Sequence, residues 1–221
     1  MPQGAGVLKE GPAVIMTRIR AVFLDRDGTL NHDVGYPAHW SQVHVYPFAF
    51  EAVRSLRAAG LVPVVITNQS GVGRGFFGEP DLAALHREYG AAFAGQGAAI
   101  DGFFYCPHYN PPGGGEAGCA CAKPKPALGL RAAAELGLEL RGSYMVGDKT
   151  SDILFGLALG AVPVLVQTGY GRASLRELER RGLRPECVAP DVAAAAHWIL
   201  ARERQACGPP RPSGRKEGAR S

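Results

Sequence analysis

The stretch FLDRDGT puts Asp25 and Asp27 two residues apart, directly after an apolar run and just before Gly28. Two carboxylates so close repel each other, and both stay ionised only with a cation between or beside them. A lone aspartate after a strand is commonly a helix N-cap or an Asx-turn, but neither role needs a second carboxylate two positions on. Further along, VVITNQSG sets the Thr67 hydroxyl and the amides that follow it at the end of another apolar run, where they can hold phosphate oxygens. AKPKP supplies Lys123 as a cation for the same oxygens, and MVGDKTSD supplies Asp148, with Lys149 beside it and Asp152 one turn on. Singly, Thr67 can cap a strand, Lys123 can be solvated and Asp148 can cap a helix. Together they make up a nucleophile, an acid/base, two phosphate grips and a metal anchor.

A second chemical cluster lies in CPHYNPPGGGEAGCAC, where Cys106, His108, Cys119 and Cys121 follow the pattern C-x-H-x10-C-x-C. Three thiolates and an imidazole fill a tetrahedral zinc shell and leave no open position, which marks a structural site. A disulfide between Cys119 and Cys121 would close a strained, very small ring, and uncoordinated thiols are the other alternative. The residues between the ligands offer almost nothing apolar to bury, so metal binding would supply the folding free energy of the loop. Cys121 precedes Lys123 by two residues. A rigid metal knuckle would therefore fix where that lysine points and would wall the phosphate site.

Alternating patterns must position these groups. Strands are expected over 19–24, 61–67, 101–106, 143–148 and 162–167, short apolar runs of the kind buried on both faces of a parallel sheet. Helices are expected over 49–60, 80–94, 126–138, 150–160, 173–182 and 192–203, several ending at glycine or opening at proline. This alternation predicts an α/β fold, Rossmann-like and doubly wound, with a mostly parallel sheet and a short zinc-binding loop insertion. In such folds the chemistry gathers outside the carboxyl ends of the strands, which is where Asp25, Thr67, Cys106 and Asp148 stand. Trp40, Tyr46 and Phe48 are read as core or as a cover for the site mouth. His86 and His197 are read as surface or packing residues, while His32 and His39 fall within the segment discussed below as a substrate loop.

With 221 residues, 46% of them hydrophobic, the chain can bury one substantial core. The formal net charge is +4, but residues 208–221 contribute +3 of it, leaving +1 for the rest. That balance lacks the basic footprint of a nucleic-acid binder. No apolar run reaches membrane-spanning length, so neither nucleic acid nor membrane is an expected partner. Residues 1–18 are expected to be a flexible N-terminal extension, 19–207 a single domain and 208–221 a disordered basic tail. Gathered, unpaired cysteines suit a reducing compartment, and the expectation is a cytoplasmic monomer.

The order DRDGT, TN, K and GD(x)3D over roughly residues 20–170 resembles the haloacid dehalogenase superfamily of phosphotransferases. The resemblance implies that Asp25 attacks phosphorus to form an aspartyl-phosphate, and that Asp27 protonates the leaving alkoxide and then activates water. It implies further that Thr67 and Lys123 stabilise the phosphoryl group, and that Mg²⁺ is held by Asp25, the Asp27 carbonyl and Asp148. CPH…CxCxKP, DRDGT and TNQSG together resemble the branch holding D,D-heptose 1,7-bisphosphate and histidinol-phosphate phosphatases. NHDVGY and TNQSGVGRG favour the sugar enzymes. They imply substrate contacts at Asp33, Val34, Gly35, Tyr36, Thr67, Asn68, Gln69 and Ser70, with Lys123 and Lys149 reaching the same substrate. The implied reaction is removal of the C7 phosphate of a heptose bisphosphate. A histidinol-phosphate or other small-metabolite phosphatase is the alternative within the class, and a non-catalytic zinc-containing interaction module the alternative outside it. Ala122 stands where both relatives usually carry an arginine, which the resemblance to the sugar enzymes implicates in substrate recognition. Its absence removes a bidentate partner for a distal anion, with Lys125 and Arg74 as candidate replacements.

Overall fold

The computed structural model describes residues 19–109 and 118–207. The extension and tail expected at 1–18 and 208–221 lie outside these residues, as does the middle of the cysteine loop. Six strands, β1 (Arg20–Leu24), β2 (Val62–Asn68), β3 (Gly102–Cys106), β4 (Glu139–Gly147), β5 (Val162–Val166) and β6 (Cys187–Ala189), form one sheet in the order β3-β2-β1-β4-β5-β6. Every pairing within it is parallel.

The alternation of side chains in β1 shows why both faces are covered. Val22 and Leu24 join one buried cluster with Val65, Val146 and Val164, and Ala21 and Phe23 join another with Val64, Ile66 and Met145. The first cluster is closed by α1 (Pro47–Ala58), α3 (Glu79–Gly95) and α7 (Val192–Cys207) through Val53, Leu56, Leu85, Phe93 and Ile199. The second is closed by α4 (Ala127–Leu136) and α5 (Thr150–Leu159) through Leu128, Ala132 and Phe155. Helix α6 (Gly171–Arg180) adds Leu178 against Ile153 and Leu165. Burial from both sides is what makes these strands read as continuous apolar runs.

Three elements differ from the sequence expectation. β4 begins at Glu139, because its half-buried first residues extend the ladder to Arg20. A short helix, α2 (Ser70–Gly73), follows β2, and the three-residue β6 completes the far edge. Tyr46 is buried in the core, with Trp40 and Phe48 packed against the same cluster. Among the described residues no helix is long and apolar enough to cross a membrane. The winding reverses between β1 and β4, and the crevice outside their carboxyl ends is where such sheets place ligands.

Candidate active site

Because β1 and β4 pair with Leu24 opposite Val146, the residues leaving the two strands emerge side by side, and the Asp25 amide donates to the Val146 carbonyl at 2.9 Å. Asp25, Asp148 and, from the first turn of α5, Asp152 thereby bring one carboxylate oxygen each to within 4.8 Å of one another, all three side chains buried. Gly28 and Gly147 make room for this. A β-carbon at Gly28 would collide with the Asp148 carboxylate, and one at Gly147 with Asp152. Gly28 also adopts φ +91°, which favours glycine.

A single buried ammonium offsets part of this negative charge. Lys123 Nζ lies 2.7 Å from Asp25 Oδ1, 2.6 Å from Asp152 Oδ1 and 2.8 Å from the Ile66 carbonyl. Burial works against its charge, but the Asp152 and Asp25 carboxylates outweigh it and raise its pKa. Asp148 has no such partner. Its Oδ2 accepts the Tyr170 amide at 2.7 Å, while the buried Oδ1 accepts no hydrogen bond. Burial, then the Asp25 and Asp152 charges, push its pKa up to about 8 against the pull of Lys149 and the Tyr170 amide. Asp152 is also raised, first by burial, with Lys123 opposing. An unpartnered buried oxygen among clustered carboxylates is a hard-donor set that a divalent ion such as magnesium fits.

Asp27 sits in a different environment. Its Oδ2 accepts from Arg26 Nη2 at 2.8 Å and Gln69 Nε2 at 2.9 Å, and its Oδ1 accepts from Asn31 Nδ2 at 2.9 Å. Burial would raise its pKa, but Arg26, Asn31 and Gln69 outweigh that and lower it. Gln69 also donates to Thr67 Oγ1 at 2.9 Å, so the Thr67 hydroxyl keeps its own proton for another acceptor. Asn68 is turned to the lysine segment, where its side chain pairs with both the amide and the carbonyl of Lys123 at 3.0 and 3.2 Å. Asp25, Asp27, Thr67, Asn68, Lys123, Lys149, Ser151 and Asp152 line a cleft of about 30 Å³.

Lys149 reaches across the mouth, with Nζ 3.1 Å from Asp33 Oδ2 and over the Tyr170 ring. Its pKa is raised because Asp25, Asp148, Asp33 and Asp152 outweigh the effect of burial. Asp33 also accepts the Gly35 amide at 3.0 Å, and Val34 and Tyr36 are exposed on the same loop. The Arg74 guanidinium carbon stands over two rings, 5.6 Å from the Tyr36 centroid and 3.6 Å from that of Tyr109. Lys125, the other candidate for the position Ala122 leaves open, is committed to the Gly118 and Cys119 carbonyls at 2.9 and 3.0 Å.

The cysteine loop converges as its spacing suggests. Cys106, His108, Cys119 and Cys121 bring their ligand atoms within 4.8 Å of one another. The sulfur separations are 3.3, 3.0 and 3.7 Å, and His108 Nδ1 stands 3.2 Å from the Cys121 sulfur. These gaps exclude disulfides, which need about 2.05 Å, and approach the roughly 3.8 Å edge of a tetrahedron of thiolates at 2.3 Å from zinc. Burial raises the Cys106 and Cys121 thiols, so thiolates here call for a cation. The loop is stitched to the cleft: the Gln69 amide donates to the Cys106 carbonyl and the Gly73 amide to the Pro107 carbonyl, both at 2.8 Å.

Sequence reasoning gave Asp152 no ligand role, although GD(x)3D contained it. It also gave no role to Arg26, Asn31 or Tyr89. Of the two readings offered for His86, packing is the one observed: it is buried against Arg26 and stacked on Phe103. His197 is exposed, as are His32 and His39.

A family model described as HAD-hyrolase-like (haloacid dehalogenase-like hydrolases) matches residues 120–195. The chain is 42% identical over 153 residues to a D-glycero-beta-D-manno-heptose-1,7-bisphosphate 7-phosphatase of Pasteurella multocida, covering 68% of this chain and 83% of that protein. It is 38% identical to the enzyme of the same name from Pseudomonas putida, covering 82% of this chain and all of the relative. Among solved structures, the D,D-heptose 1,7-bisphosphate phosphatase of B. bronchiseptica, complexed with magnesium and phosphate, superposes with a TM-score of 0.73 at 34% identity, over 83% of this chain and 99% of that one. The strand-end carboxylates, the ordered motifs and these likenesses agree: the chain belongs to the haloacid dehalogenase superfamily, in the branch of the heptose-bisphosphate phosphatases.

Proposed function

We propose that residues 19–207 form one catalytic domain, a magnesium-dependent phosphatase that removes the C7 phosphate of D-glycero-D-manno-heptose 1,7-bisphosphate through an aspartyl-phosphate. The observation that carries this reading is the meeting of Asp25 and Asp148 at the ends of adjacent strands, with Lys123 bonded to Asp25. The named relatives supply the substrate class.

A phosphate monoester is a dianion and repels a carboxylate nucleophile, so the site must neutralise it before attack. Lys123, through its charge, and the Thr67 hydroxyl would attract and hold its oxygens. Asp25, the Asp27 carbonyl and Asp148, with Asp152 close by, would hold Mg²⁺, which supplies positive charge to the phosphoryl oxygens. Asp25 forms the new bond to phosphorus as the bond to the sugar oxygen breaks, and Asp27 gives its proton to that oxygen. Water then attacks the aspartyl-phosphate while Asp27 takes one of its protons, releasing phosphate, freeing the Asp25 carboxylate and returning Asp27 to its acid form. In the free protein Asp27 is held as a carboxylate, the form the second half needs. The arriving dianion favours the protonated form that the first half needs.

The Cys106–His108–Cys119–Cys121 cluster would hold a structural zinc that fixes the segment carrying Lys123. Its reduced thiols fit the cytoplasm as the compartment. The test is kcat/KM, with and without Mg²⁺, across heptose bisphosphates of both anomers, histidinol phosphate and fructose bisphosphate. Preference for a heptose bisphosphate in the presence of Mg²⁺ is expected. Preference for histidinol phosphate would overturn the substrate assignment, and silence toward every ester would overturn the enzyme.

A further inference from the structure

We propose that helix α3 sets the orientation of the Asp27 carboxylate through two side-chain relays, which makes His86 and Tyr89 positioning residues for proton transfer. The inference rests on the phosphatase reading above. His86 and Tyr89 are three residues apart on α3, so they project from the same helix face, and both are buried, at 7% and 0% exposure.

The first relay runs through Arg26, the largest fully buried side chain of the described residues. Its Nη1 lies 3.2 Å from His86 Nε2, while its Nη2 and Nε fork onto the Asp27 carboxylate at 2.8 to 3.2 Å. A guanidinium only donates. The facing imidazole nitrogen must therefore accept, which places the ring proton on Nδ1 and keeps the ring neutral. Burial and the Arg26 charge agree, lowering the His86 pKa to about 3. Stacking on Phe103 at 4.8 Å between centroids, with Tyr105 at 5.6 Å, holds the ring in place. The second relay starts at the Tyr89 hydroxyl, which donates to Asn31 Oδ1 at 3.1 Å, and Asn31 Nδ2 donates to Asp27 Oδ1 at 2.9 Å. Tyr89 is itself packed against Phe93 and Trp40.

A carboxylate that gives and takes a proton must keep one lone pair aimed at the reacting oxygen, and proton-transfer efficiency depends on that reach. Gln69 reaches Asp27 from the phosphate-binding side. The two relays reach it from α3, and between them rotation about the carboxyl bond is arrested. The charged arm is a buried guanidinium that would pull the carboxylate with it if its own far end were released.

His86→Leu, His86→Gln, Tyr89→Phe and the double variant His86→Leu/Tyr89→Phe, in full-length metal-loaded protein, test this against a series of phosphate monoesters from nitrophenyl to alkyl. Acid catalysis matters most when the leaving group is a poor one. His86→Leu and Tyr89→Phe are each expected to lower kcat/KM for alkyl esters by about tenfold, as for outer-shell partners elsewhere, while nitrophenyl phosphate loses no more than about twofold. His86→Gln, whose side-chain oxygen can accept from Arg26, is expected to recover most of the alkyl rate. The double variant is expected to show the steepest leaving-group dependence. Tyr89→Phe keeps the ring packing, so a folded variant remains if His86→Leu does not fold. Equal losses on aryl and alkyl esters, or no loss in folded variants, would overturn the positioning role alone. A wild type that turns over no ester would sink the phosphatase reading and this inference with it.

Discussion

Replacing Asp148 by Asn should make the magnesium-free protein more stable at neutral pH while destroying its catalysis. The Asp148 carboxyl is buried beside Asp25 and Asp152, and its folded pKa stands at about 8 against an unfolded value of 3.8. Below pH 4 both states carry the proton and the site costs nothing. Above that, the unfolded chain loses the proton while the folded chain keeps it, so stability falls by about 1.4 kcal/mol per pH unit until the folded pKa is reached. Between pH 4 and pH 7 this amounts to on the order of 4 kcal/mol. A domain of this size shifts its Tm by about 2–4 °C per kcal/mol, so the effect is on the order of 10 °C. Asparagine has no proton to lose and escapes the penalty. The assay is thermal unfolding of wild type and Asp148→Asn in magnesium-free buffer at pH 5 and 7.5, without a strong chelator so that the cysteine cluster is undisturbed. The Tm advantage of the variant should widen with pH. Saturating Mg²⁺ should close the gap by stabilising only the wild type, and more so at the higher pH. A Tm gap that stays constant from pH 5 to 7.5 would refute the reasoning, because it would mean that Asp148 is ionised in the free protein without cost.

Asp25→Asn is expected to lower turnover by at least about 10³-fold, since the amide cannot form the phosphoryl bond, with the circular dichroism spectrum unchanged. Near-normal turnover would remove Asp25 from the nucleophile role. Stripping metal from the Cys106–His108–Cys119–Cys121 cluster, followed by restoring Mg²⁺, is expected to lower kcat/KM by about tenfold or more. Unchanged kinetics, with metal loss verified by elemental analysis, would count against the clamp. Asn68→Ala removes both contacts to the Lys123 backbone and should weaken phosphate binding by about 1–2 kcal/mol, read as the inhibition constant of inorganic phosphate.

The groups legible in the sequence are those whose partners are fixed by strand ends. Asp25, Thr67, Cys106 and Asp148 each follow or end an apolar run, and a parallel sheet must bring such positions to one edge. The convergence of the cysteine set was legible for a different reason, because residues able to ligate a metal declare themselves by type. What stayed hidden depends on long-range pairing. Arg26 between two aspartates reads as a solvated charge, yet it has no exposed surface, because His86, sixty residues away, completes its shell. β6 is only three residues long and is paired at the sheet edge with β5, too short to show a period of its own. The glycine-rich α2 carries no helical signature. It forms because the Pro107 carbonyl accepts the Gly73 amide and because Gly73 leaves no side chain between α2 and residues 107–109.

Lys123 ties these observations together, because its position answers to two parts of the fold at once. An ammonium buried to this degree would lose its proton unless carboxylates stood beside it, and Asp25 and Asp152 do so at hydrogen-bond distance. Those carboxylates are in turn tolerable in the interior only because the ammonium is there. If the cysteine loop let the lysine backbone drift, Asp25, Asp148 and Asp152 would be left as three crowded acids, and protons would compete for the oxygens a divalent ion needs. A metal-bound loop would then protect the charge state of the cleft as well as its shape. On this account, loss of the cysteine-bound metal should weaken Mg²⁺ affinity most at low pH, where that competition is strongest. A cleft whose Mg²⁺ affinity at pH 6 ignores the state of the cluster would mean that Lys123 is held by Asn68 and the strand ends alone.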